Sequence, residues 1–140
     1  MCKEIIADIK HINVTTLKTE CSLDKWFSKM VNKTTDKLDI LDISRMIRQD
    51  IYVDIALPIA LKMIQDDPFN GEMYNGQLLE LVERYLTKSP EYLKDFDFNS
   101  LLKKIDRKIL VHIWEDDADK EAYMGTVEKF KNLITNFNVR

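Results

Sequence analysis

The sequence predicts an all-α fold, a compact single-domain bundle of about seven helices, and three observations carry that expectation. Apolar residues recur at intervals of three and four along nearly the whole chain, the spacing of one helix face. Three glycines and three prolines in 140 residues are too few to turn a β-sandwich. A content of 45% hydrophobic and 32% charged residues suits one domain that buries a core and solvates its surface.

The elements follow in order. A first helix is expected over 3–12, where Ile5, Ile6, Ile9 and Ile12 recur. Ser22 stands as an N-cap ahead of Leu23, Trp26, Phe27, Met30 and Val31 on one face, and Asn32-Lys33-Thr34-Thr35 breaks the pattern. A short helix near 41–50 would bury Ile43, Met46 and Ile47 and present Arg45 and Arg48 outward. The next, near 54–65, turns Ile55, Ile59, Ala60, Met63 and Ile64 inward, with Pro58 in its first turn and Pro68 beyond its end. Leu78, Leu79, Leu81, Val82, Tyr85 and Leu86 form another face, stopped at Ser89-Pro90. Phe98, Leu101, Leu102, Ile105, Ile109, His112 and Ile113 keep one phase, which favours helix over strand even through the β-rich run 109–114. A last helix near 118–136 buries Ala122, Tyr123, Val127, Phe130, Leu133, Ile134 and Phe137.

The stretch DDPFNGEMYNGQLLELV, residues 66–82, holds one of the three prolines and two of the three glycines and reads as a corner between helices. Pro68 blocks the preceding helix, Gly71 admits a backbone angle costly for other residues, and Asn75 caps a helix opened by Gly76 and Gln77. Phe69, Met73 and Tyr74 are expected to pin the corner to the bundle.

No apolar run approaches the roughly 18 to 20 residues that span a bilayer, and acidic residues interrupt the start where a signal peptide would be apolar. A cytoplasmic protein without membrane association is expected. Cys2 and Cys21 lack a C-x-x-C spacing or a neighbouring His cluster and read as incidental thiols, with no metal or cofactor implied. A net charge of −3 disfavours nucleic acid as partner and leaves a basic protein open.

Phosphate-binding glycine loops, G-x-S-x-G and H-E-x-x-H are missing from the sequence, and His11 and His112 are the two histidines. Arg107 and His112 match the R-x-x-x-x-H spacing of HEPN ribonucleases, whose Arg and His face a scissile phosphate, although His112 also falls in the apolar phase of its helix. Carboxylates concentrate at Asp66-Asp67, at Asp95 and Asp97, and at Glu115-Asp116-Asp117 with Asp119. Asp116 and Asp117 suit the N-terminal dipole of the last helix, and the remainder form a solvated edge or a protein-binding surface.

Across residues 38–86 five short patterns follow one another: L-D-I-x-x-x-I-R-Q from Leu41 to Arg48 and Gln49, P-x-A-L at Pro58, D-P-F at Asp67 and Pro68, G-E-x-Y-x-G at Gly71, Glu72, Tyr74 and Gly76, and L-L at Leu78 and Leu79. Their order and spacing resemble the immunity proteins of bacterial contact-dependent growth inhibition, with Gln77 standing where an acidic residue is usual in that family. The resemblance implies a cytoplasmic, non-catalytic protein that binds the C-terminal toxin domain, frequently a nuclease, of a CdiA exoprotein. A monomer binding its toxin 1:1 is expected, with no cofactor. Members must tell different toxins apart, so the shared residues (Arg48, Gln49, Pro58, Asp67, Pro68, Gly71, Glu72, Tyr74 and Gly76) are read as scaffold. Toxin contact is placed outside them, on Glu115, Asp116, Asp117 and Asp119 first and on Asp95 and Asp97 second. A HEPN-like ribonuclease using Arg107 and His112, or a helical adaptor, remain the alternatives.

Overall fold

The structure, a computed structural model, describes residues 4–14, 17 and 21–139, so Cys2 lies outside the described residues. Among these residues the protein is all-α, with seven α-helices, two 3-10 segments and one isolated antiparallel bridge between Ile5 and Thr34. The chain divides into two compact units, Met1–Ile43 and Ser44–Arg140.

The first unit holds α1 (Ile6–Ile9), α2 (Ser22–Val31) and the opening of α3 (Ile40–Arg48), with a 3-10 segment at Thr35–Lys37. Helix α1 is much shorter than the expected 3–12. His11 takes a left-handed conformation (φ 57°), while Ile12 N–H donates to the Ala7 carbonyl at 2.8 Å and His11 N–H to that of Asp8 at 3.3 Å. This is the double closure that usually ends a helix at glycine. Ser22 is the first helical residue of α2 and not its cap; exposed, free Cys21 occupies the cap position without a side-chain hydrogen bond. Trp26, Met30 and Val31 are buried as their spacing requires, whereas Leu23 is exposed and Phe27 half-buried.

A polar knot opens α3. Asp39 Oδ1 accepts from Asp42 N–H at 2.9 Å and Asp42 Oδ2 accepts from Asp39 N–H at 3.1 Å, a reciprocal box built from two aspartates. The same Asp42 carboxylate accepts from Trp26 Nε1 at 2.9 Å and from Lys33 Nζ at 2.7 Å. Burial pushes the Asp42 carboxyl upward, but the hydrogen bonds from Lys33, the Asp39 backbone and Trp26 outweigh it and hold the group below its usual range. The hydrogen bond to Asp42 raises Lys33 correspondingly.

The second unit contains the rest of α3 with α4 (Val53–Asp66), α5 (Gln77–Lys88), α6 (Phe98–Val111) and α7 (Asp117–Val139). Helix α5 packs on α4 and α7, α4 also meets α6, and the 3-10 segment Pro90–Asp95 lies on α5 and α7. Ile43, Met46 and Ile47 of α3 are buried as expected, and the helix ends on left-handed Asp50 (φ 55°) with Ile51 N–H bonded to the Met46 carbonyl at 2.8 Å.

The buried face of α4 is rotated from the expected one. Val53, Ala56, Leu57, Ala60, Leu61 and Ile64 are buried, while Ile55, Ile59 and Met63 are half-buried. Pro58 is the sixth residue of α4, so it sits in the second turn and removes an intrahelical hydrogen bond that a first-turn proline would spare. On α5, Leu78, Leu79, Val82 and Leu86 are buried and Leu81 and Tyr85 half-buried. Helix α6 stops at Val111, because His112 is extended (φ −76°, ψ 137°); Ile113, expected inward, is 90% exposed. On α7 Tyr123, Val127, Phe130 and Ile134 are buried, Leu133 and Phe137 half-buried, and Ala122 exposed against expectation.

Candidate functional site

Everything at the site lies in the second unit and begins with the corner after α4. Asp67 N–H continues the helix to the Met63 carbonyl at 2.9 Å, and its own Oδ1 accepts from Phe69 N–H at 3.0 Å, so the acid turns the chain around buried Pro68. The corner then closes on itself: Gly76 N–H donates to the Phe69 carbonyl at 2.9 Å and Leu78 N–H to that of Asn70 at 3.1 Å. Gln77 Oε1 accepts from Met73 N–H at 2.8 Å.

The two glycines do different work from that expected. Gly76, not Gly71, holds the left-handed angle (φ 79°), and Gly76, not Asn75, is the N-cap of α5. A Cβ on Gly76 would lie 2.2 Å from the Tyr123 ring. Gly71 is required by close approach, since a Cβ there would lie 2.1 Å from the Tyr74 carbonyl oxygen. Asn75 instead reaches α7, donating from Nδ2 to Asp119 Oδ2 at 3.1 Å.

Phe69 fastens the corner. Its ring stacks on His112 at 3.8 Å, meets Trp114 edge-on at 5.4 Å and lies 4.9 Å from Tyr123, whose hydroxyl donates to the Pro68 carbonyl at 3.0 Å. Burial pushes the Tyr123 phenol far above its usual range, with Asp67 and Asp106 adding to the effect. Met73 and Tyr74 do not share this anchoring role: Met73 is 84% exposed, and Tyr74 is exposed with its hydroxyl donating to Glu80 Oε2 at 2.8 Å. Burial, with that bond and the Glu80 charge, raises the Tyr74 phenol.

An open groove of about 620 Å³ runs between this corner and the start of α7, lined by Gly71, Glu72, Met73 and Tyr74 on one side and Glu115, Asp116 and Asp119 on the other. Of the carboxylates singled out in the sequence, the fold therefore brings Glu115, Asp116 and Asp119 together and adds Glu72. Asp116 also caps α7, its Oδ1 accepting from Asp119 N–H at 2.7 Å. Glu72 lies 3.7 Å from Arg48, which ties the end of α3 to the corner, while Gln49 is exposed beside it.

Asp117 is exposed on α7 outside the groove lining, and Asp95 is exposed at the end of the 3-10 segment. Asp97 caps α6, accepting from Ser100 N–H at 3.3 Å and Ser100 Oγ at 2.9 Å, and these bonds hold its carboxyl below the usual range. Among the described residues no His, Cys, Asp and Glu group has the arrangement of a metal site. Arg107 is exposed on α6, but His112 is committed to the ring stack with Nε2 buried, a poor posture for an imidazole that must meet a phosphate.

The groove joins two parts of the chain with different standing. A family model for CDI immunity proteins matches residues 8–97. The chain belongs to that family. No curated protein and no solved structure matches it. The match takes in the corner wall of the immunity protein's groove, with Arg48, Gln49, Pro58, Asp67, Pro68, Gly71, Glu72, Tyr74 and Gly76, and ends before α6 and α7. Glu115, Asp116, Asp117 and Asp119 lie beyond it, while Asp95 and Asp97 fall within its final residues. No helix among the described residues is long and apolar enough to cross a membrane.

Proposed function

We propose that this immunity protein neutralises the C-terminal toxin domain of its cognate CdiA exoprotein by binding it over the groove formed by Glu72, Glu115, Asp116 and Asp119. The supporting observation is the make-up of that groove: one wall comes from the family-matched corner, the other from acidic residues outside the match. A shared wall can carry a common mode of docking while the unshared wall selects the toxin. A nuclease toxin presents Lys and Arg to its substrate, and clustered carboxylates meet such a surface with complementary charge, which speeds encounter and rejects wrong partners. Asp117 extends the acidic edge, with Asp95 and Asp97 as a secondary acidic site.

In this reading residues 1–140 act as one immunity-protein domain, a cytoplasmic monomer that binds its toxin 1:1 and catalyses nothing. The test uses the toxin domain encoded immediately upstream. Wild-type protein is expected to bind it and to restore growth on co-expression, and Glu115→Lys to weaken binding by about tenfold or more. Glu128→Lys, on an exposed position of α7, serves as the control of equal charge change. Absence of both binding and rescue by the wild-type protein would overturn the proposal.

A further inference from the structure

Beside the acidic groove lies an exposed apolar strip that the core does not use. Leu110, Val111 and Ile113 are 84%, 78% and 90% exposed. Single exposed aliphatics are ordinary, but three within four residues form a contiguous patch of the kind that marks an interaction surface. Local geometry keeps them outward. Helix α6 ends at Val111 and His112 is extended, so successive side chains alternate: His112 and Trp114 turn into the rings around Phe69, while Val111, Ile113 and Glu115 face solvent. The strip thus runs directly into the groove wall, since Glu115 lines the groove and Phe69, under His112, lines it too. Met73, 84% exposed, adds apolar surface at the corner wall.

Charge around the strip is directional. Glu115 and Asp116 follow it on the groove side, and exposed Arg107 and Lys108 precede it on α6. We infer that the toxin domain is anchored by an apolar cleft that receives Leu110, Val111 and Ile113, with Lys and Arg on the flank of that cleft facing the groove. This rests on the groove reading and deepens it: the carboxylates steer and orient the toxin, and the aliphatic strip holds it. The strip lies outside the family-matched residues, where a determinant of partner choice belongs.

The experiment compares Leu110→Gln/Ile113→Gln, which keeps the charge constant, with Glu115→Lys, using the purified upstream toxin domain and stopped-flow or surface-based kinetics. The double glutamine variant is expected to dissociate about tenfold faster or more, with little change in association. Glu115→Lys is expected to slow association, most strongly at low salt. Far-UV circular dichroism checks folding, and Ile113→Gln alone, at the most exposed position, replaces the double variant if that one is unfolded. Wild-type affinity in the glutamine variant overturns the inference and leaves the groove reading standing. No binding by the wild-type protein overturns both. Self-association of the immunity protein in light scattering, abolished by the glutamine substitutions, would assign the strip to a second copy and overturn the inference.

Discussion

Two glycine-to-alanine substitutions in the same protein are expected to move stability in opposite directions. At Gly76 the backbone is left-handed (φ 79°), where an L side chain costs about 1–2 kcal/mol. The new methyl would also sit 2.2 Å from Tyr123 Cδ2 and 2.5 Å from Cε2. That ring is 2% exposed and its hydroxyl is held by the Pro68 carbonyl, so it has little room to yield. Overpacking of this sort adds about 1–3 kcal/mol, giving a loss of roughly 2–5 kcal/mol for Gly76→Ala. Gly125 lies inside α7, where a Cβ would meet nothing within 4 Å. There alanine removes only the helix penalty of glycine and is expected to stabilise by about 0.5–1 kcal/mol. Urea denaturation followed by far-UV circular dichroism reads both as shifts of midpoint at constant slope. A wild-type midpoint for Gly76→Ala, or a lowered one for Gly125→Ala, would refute the reasoning.

Other outcomes follow from the same structure. Tyr123→Phe removes the hydroxyl that satisfies the Pro68 carbonyl and is expected to cost about 1–3 kcal/mol in the same urea assay. Asp42, held below the unfolded value of about 3.9, contributes stability that is complete above that pH and is lost as pH falls through its lower folded value; Asp42→Asn should flatten this acid limb in a pH series of denaturation midpoints. Tyr85 is pushed up to about 12 by burial and by its hydrogen bond to Asp50. Its contribution is therefore present below the unfolded value of about 10 and lost as pH rises through the folded one, and in ultraviolet titration Tyr85→Phe should remove one late-ionising tyrosine while that of Tyr123 remains.

Helical periodicity is most informative where large apolar residues define the face. Ile43, Met46 and Ile47 on α3, and Tyr123, Val127, Phe130 and Ile134 on α7, are buried as their spacing requires. On α4 Ala60 and Ile64 are buried as expected, but Ala56, Leu57 and Leu61 are buried where Ile55, Ile59 and Met63 are expected; apolar residues lie nearly all round this helix, so spacing alone leaves its phase about one position off. Helix ends were hardest where the usual punctuation is missing: His11 and Asp50 take left-handed angles that sequence reasoning reserves for glycine. At the corner both glycines were visible, but their roles depend on Tyr123 and on the Tyr74 carbonyl, contacts that only the fold creates. The acidic residues were legible as a composition. Their meeting with Glu72 in one groove was not, because it depends on the clasp between Asn75 and Asp119. The apolar strip was hidden by the helical phase itself, which assigned Ile113 to the core.

The alternation along 111–115 separates two kinds of evolutionary pressure at single-residue resolution. His112 and Trp114 answer to the rings they pack on, whereas Val111, Ile113 and Glu115 are exposed and carry no such packing constraint. If the toxin docks on this strip as proposed, substitutions at the odd-numbered positions would retune recognition while leaving the ring cluster of His112 and Trp114 in place. A single-residue insertion or deletion would instead exchange the two sets and disrupt both at once.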